Sequence, residues 1–120
     1  MNTVSPYVAY ARALEALRWS PVEFVVAESF AERLSGMIRL PPVASNGLPY
    51  VLAFPDCPSV HTCAMSYPLD IAFIDRSGHV LALHESVQPW HFKSCSDAWA
   101  TLERASVIDE EAGRYRMCAC

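Results

Sequence analysis

Between Asp56 and Asp70 the chain gathers side chains that carry chemistry in many proteins: Cys57, His61, Cys63, Met65 and Asp70. If residues 60–64 run as a strand, alternation places Ser59, His61, Cys63 and Met65 on one face and Val60, Thr62 and Ala64 on the other. A four-residue loop over 65–68 would pair Ala64 with Leu69 and set Cys63 opposite Asp70. His61 would then lie diagonal to that carboxylate. A histidine oriented by a carboxylate is the core of general-base and nucleophilic sites, with Cys57 or Cys63 as the nucleophile. The same residues also have a structural reading. An Asp after Pro-Leu satisfies backbone N–H groups at a turn, and a half-buried His bonds a carbonyl. Sequence alone leaves both open, and with them whether the chain is an enzyme.

Cys57 and His61, and again His91 and Cys95, stand four residues apart, making a set of two Cys and two His that zinc accepts. On extended strands such a spacing spans roughly 13 Å, too far for one ion unless the chain folds back. No metal site is therefore expected, and no cofactor. The tail Cys118-Ala119-Cys120 has the thiol spacing of a soft-metal or redox pair, or it is two small residues at a strand end. Trp19, Trp90 and Trp99 are expected as core or rim aromatics. No phosphate loop, dinucleotide fingerprint or nucleophile elbow is present, which disfavours nucleotide-dependent and standard hydrolase chemistry.

The elements that must position these residues follow from composition and period. At 120 residues, 52% apolar and 18% charged, the chain is expected to fold as one domain around one core. The formal charge of −4 comes with a single lysine, Lys93, and scattered arginines, so phosphate-binding clusters are missing and nucleic acid is not an expected partner. The first twenty residues lack the apolar stretch of an export signal, and no run approaches the ~20 residues that cross a bilayer. A cytoplasmic protein with reduced thiols and no membrane partner is expected.

Ser5-Pro6 opens a helix in which Tyr7, Tyr10, Ala11, Leu14 and Leu17 recur at helical spacing, ended by Ser20-Pro21. Val22 to Ala27 reads as a strand. Ser29 to Glu32 forms a capping box for a second helix, with Phe30, Leu34, Met37 and Ile38 on its buried side. Strands follow over 50–54, 60–64, 69–74 and 79–84, with Asp75-Arg76-Ser77-Gly78 as a tight hairpin turn. Residues 98–107 are ambiguous between helix and strand, and 114–120 are strand-like. The expected fold class is α+β: an antiparallel β-sheet or partial barrel with two or three packed helices.

The block over 54–75, Phe-Pro-Asp-Cys-Pro-Ser-Val-His-Thr-Cys-Ala-Met-Ser-Tyr-Pro-Leu-Asp-Ile-Ala-Phe-Ile-Asp, resembles the signature of a bacterial and archaeal family, domain of unknown function 192. Gly36-Met37-Ile38-Arg39, Gly78 to Leu83, Pro89-Trp90, Cys95 and Leu102-Glu103 fall where that family places similar residues. The resemblance spans 22–104, with 1–20 as a helical extension and 105–120 as a divergent segment. Asp-Cys-Pro replaces a Pro-Cys order, and His91 stands where many relatives look Arg-like. The resemblance implies a compact β-rich fold and no established activity. The leading expectation is a domain that binds a small molecule or peptide near His61, Met65, Asp70 and Cys95. The alternatives are a small Cys/His-dependent enzyme and a structural or metal-stabilised interaction module.

Overall fold

The computed structural model describes residues 5–29, 41–106, 108–109 and 114–115. Helix α1 spans Pro6–Leu17 and ends at Arg18, whose φ of 60° turns the chain and whose N–H bonds back into the last turn. The strands are β1 Glu23–Val26, β2 Tyr50–Pro55, β3 Ser59–His61, β4 Leu69–Ile74, β5 Val80–Val87, β6 Phe92–Ser94, β7 Ala100–Ala105, β8 Ile108–Asp109 and β9 Arg114–Tyr115. Five of them form one sheet in the order β1-β2-β7-β4-β5, while β3 pairs, among the described residues, with β6.

Two expectations need correction here. Among the described residues there is one helix, not two or three, and the architecture is mostly sheet. The segment left open between helix and strand is β7, at the centre of the sheet. Its Ala, Leu, Glu and Arg favour helix locally. Pairing with both β2 and β4 overrides that preference, because a central strand satisfies its backbone on both sides. The sheet is also mixed rather than antiparallel, since β1 and β2 run parallel. The capping-box helix at 29–40 and the Cys118–Cys120 tail lie outside the described residues.

Every residue of β4 is buried, so its two faces need two covers. On one face Ala72 and Ile74 join Val51, Ala53, Ala100 and Leu102 beneath Tyr10, Ala13, Leu14 and Trp19 of the N-terminal segment. On the other face Leu69, Ile71 and Phe73 join Leu52, Phe54 and Ala105. Val60 of β3 and the residues flanking the β3–β6 ribbon, Cys57, Met65, Tyr67 and Cys95, close over that second face.

The β4–β5 turn fixes where α1 lies. Asp75 accepts hydrogen bonds from the N–H groups of Ser77 and His79, both 2.9 Å, and Gly78 takes φ +91°. A Cβ at Gly78 would collide with the carbonyl of Ala9 in the helix, so the helix backbone lies directly on the glycine. Gly78→Ala should therefore cost about 1–3 kcal/mol through backbone strain and loss of that approach. Urea unfolding checks this; an unchanged midpoint would show that the helix does not rest there.

Candidate functional site

The expected His61–Asp70 constellation does not form. Its premise, a hairpin over 65–68 joining β3 to β4, is corrected by the pairing: β3 partners β6, with Ser59 opposite Ser94, Val60 opposite Lys93 and His61 opposite Phe92. Buried Thr62 holds that arrangement. Its Oγ1 donates to the Gln88 carbonyl at 2.7 Å and accepts from His91 N–H at 2.9 Å. Its own N–H donates to the His91 carbonyl, and its carbonyl accepts from Trp90 N–H. One threonine thus binds the His61–Cys63 segment to the Gln88–His91 loop through both backbone and side chain.

The individual candidates then separate. His61 is exposed, and its Nδ1 accepts from Cys63 N–H at 3.2 Å, which puts the proton of the neutral ring on Nε2. Met65 is a core side chain. Cys57, Cys63 and Cys95 are free thiols of intermediate burial; Cys57 Sγ donates to the Ser59 carbonyl. No group of three or more potential metal ligands occurs among the described residues. His91 is exposed, with Nδ1 3.0 Å from the carbonyls of Gln88 and Pro89.

Asp70 is buried on the helix-side face, by alternation with Ala72 and Ile74. Its carboxylate accepts from Arg104 Nε and from Ser86 N–H, each at 2.9 Å. Arg104 in turn lies over the Trp19 ring, 4.4 Å from its centroid. Asp70 thus ties β5 to β7 across β4 and pins the Arg104–Trp19 stack. Asp70→Ala would strand a backbone N–H and a guanidinium, at a cost of about 1–3 kcal/mol. Thermal melts should show a clear drop, and an unchanged melting point would remove Asp70 from this structural role.

Sequence reasoning missed Glu103. Register sets it on the ribbon-side face of β7, between Leu52 of β2 and Ile71 of β4, and it is 3% exposed. No hydrogen bond reaches it from any described residue, and burial pushes its pKa up to about 8. The folded chain then holds a proton that the unfolded chain releases above the ordinary carboxyl value of 4.5. Stability should therefore fall as pH rises from about 4.5 to 8 and level off beyond, by at most about 1.4 kcal/mol per pH unit. Denaturant titrations between pH 5 and 9 check this. Glu103→Gln should flatten the slope, and an unchanged slope would place the titrating group elsewhere.

A second feature missed in the sequence lies at one end of the sheet, where three turns meet. A cleft of about 620 Å³ is lined by Asp56, Pro58, Asp75, Arg76, Ser77, Asp97, Ala98 and Trp99. A pocket of about 340 Å³ adjoins it, sharing Asp56, Arg76 and Trp99 and adding Tyr10 and Glu28. Trp99 is fixed: its N–H donates to the Ile74 carbonyl at 2.8 Å, its carbonyl accepts from Cys57 N–H at 3.0 Å, and Tyr10 stacks on its ring at 5.3 Å. Arg76 is loosely held, 3.5 Å from Asp56 with both side chains largely exposed, and its guanidinium stands 5.7 Å from the Trp99 ring centroid. Asp97 receives no hydrogen bond from a described residue. At Asp75, desolvation works to raise the pKa, but hydrogen bonds from His79 and Ser77 outweigh it and the carboxyl titrates below its usual value. The signal available in the sequence was the repeated placement of Asp at strand-end turns, at 56, 75 and 97, with Trp99 beside the last.

The family model of DUF192, described as Uncharacterized ACR, matches residues 13–118. No curated protein matches the chain. Among solved structures, a protein of unknown function from Novosphingobium aromaticivorans superposes with a TM-score of 0.58 at 18% identity, covering 77% of this chain and 69% of its own. A candidate transcription regulator from Sinorhizobium meliloti gives 0.56 at 20% identity, covering 78% of this chain and 74% of its own. At these identities the likeness is one of fold. No described helix is long and apolar enough to cross a membrane. The chain belongs to the DUF192 family, whose function is unknown.

Proposed function

We propose that the chain is a binding domain that takes part of a small molecule or peptide into the strand-end cleft. The observation that supports this is the joined cleft and pocket around Trp99, whose volumes fall in the range of small-ligand sites. A rigidly held indole supplies apolar surface, and the turn carboxylates supply orientation. The expected site near His61 and Asp70 gives way to this one, because Asp70 is engaged by Arg104 and Ser86 while His61 faces solvent on the ribbon. The Cys/His enzyme finds no support among the described residues, where no histidine or carboxylate bonds the thiol of Cys57, Cys63 or Cys95.

The regulator role named for the Sinorhizobium protein is not carried over. Carboxylates outnumber cations in this cleft, and such walls repel phosphate. We also place the protein in the reducing cytoplasm, a reading that the free state of Cys57, Cys63 and Cys95 supports. NMR titration with a mixed set of polar aromatic and aliphatic fragments tests the site. Shifts should concentrate at the Trp99 indole and the amides of Asp56 and Asp97. Shifts confined to other surfaces, or none at all, would overturn the reading.

A further inference from the structure

Building on that binding site, we propose that the ligand group entering the cleft is a cation of the guanidinium or alkylammonium type, and that Arg76 is the chain's own stand-in for it. The inference rests on the proposed binding function and specifies its chemistry.

Three observations converge on Arg76. Its guanidinium lies over the face of Trp99 at a distance where a ring quadrupole attracts a positive charge. It also reaches a carboxylate of the same cleft, Asp56, at 3.5 Å. Yet neither contact is tight. The arginine side chain is 76% exposed and its partner 69%, and an exposed pair of that length adds little stability. A cation therefore already rests between an aromatic face and a carboxylate, held weakly enough to leave.

The walls around it differ in rigidity. Trp99 is clamped by two backbone hydrogen bonds and by the Tyr10 ring. The chain at Cys57 is fixed further by Thr101 Oγ1, which donates to the Cys57 carbonyl at 2.7 Å. Asp75 is spent on the turn, through Ser77 and His79. That leaves Asp56 and Asp97 as the carboxylates free to meet a guest, with Glu28 in the adjoining pocket. Swinging Arg76 toward solvent leaves the tryptophan face bare and the carboxylates without a counter-charge. An incoming cation with a short apolar stem would restore both contacts, with the stem along the ring. An anion would meet Asp56 and Asp97, and a neutral group would leave the charge unanswered.

The test uses N-acetyl-arginine amide as probe and N-acetyl-citrulline amide as its neutral match, followed at the Trp99 indole by NMR. Arg76→Ala should bind the arginine probe at least about five-fold more tightly than wild type, because the resident competitor is gone. Asp56→Asn with Asp97→Asn should weaken it by a similar factor, and citrulline should bind more weakly throughout. All three positions are exposed, and unchanged melting curves will confirm that the variants fold. Equal affinity of wild type and Arg76→Ala, or equal binding of the two probes, overturns the inference. If neutral fragments shift Trp99 and neither cation does, the ligand class is wrong while the binding site stands. If no compound shifts Trp99, both fall.

Discussion

Strand β4 carries no exposed residue, and its neighbour β7 is buried at all but one position. A sheet whose centre is apolar on both faces cannot be left open to water on either, so the chain must supply two covers. Among the described residues the N-terminal helix covers one face, and the β3–β6 ribbon with the segments flanking it covers the other. That demand explains why β3, which follows β2 directly and precedes β4, leaves the sheet and pairs with β6, which comes after β4 and β5 in the chain. The polar side chains of the signature block are distributed by the same demand. Thr62 bonds the ribbon to its loop, Met65 and Tyr67 fill the space under the lid, and Asp70 is drawn into the opposite face to neutralise Arg104.

Two buried acids follow from this design, and they differ. Asp70 has a guanidinium and a backbone N–H, so its charge is compensated. Glu103, one register row away on the other face, has apolar neighbours on both flanking strands and keeps its proton instead. With side chains committed to the interior along the strands, the open chemistry of the fold moves to the strand ends. There the turns bring Asp56, Arg76, Asp97 and Trp99 around one cleft.

Much of this was legible locally. Ser5-Pro6, the apolar runs of β1, β2 and β4, and the Asp75–Gly78 turn each carry their own backbone logic and appear where the sequence places them. What the sequence hides is pairing between distant segments. A loop such as 65–68 reads as a hairpin because nearest-neighbour pairing is the common case. The bonds that decide otherwise join Thr62 to Gln88 and His91, and no spacing rule announces them. Glu103 is hidden for a related reason. Within Thr-Leu-Glu-Arg-Ala, a stretch open between helix and strand, no local pattern marks it as buried, and only the sheet around it makes it a core acid. The cleft residues come from three turns spread between Asp56 and Trp99, so their meeting is a property of the sheet's order.

The whole arrangement depends on β3 pairing with β6 rather than with β4. Cross-strand backbone contacts measured by NOE spectroscopy distinguish the two registers directly, since paired residues bring their Cα atoms within roughly 4.5–5.5 Å. Strong contacts are expected between His61 and Phe92 and between Ser59 and Ser94, and none between Cys63 and Asp70. Contacts from Cys63 to Asp70 or from Ala64 to Leu69 would restore the hairpin, return His61 to the side of Asp70 and contradict the two-cover architecture.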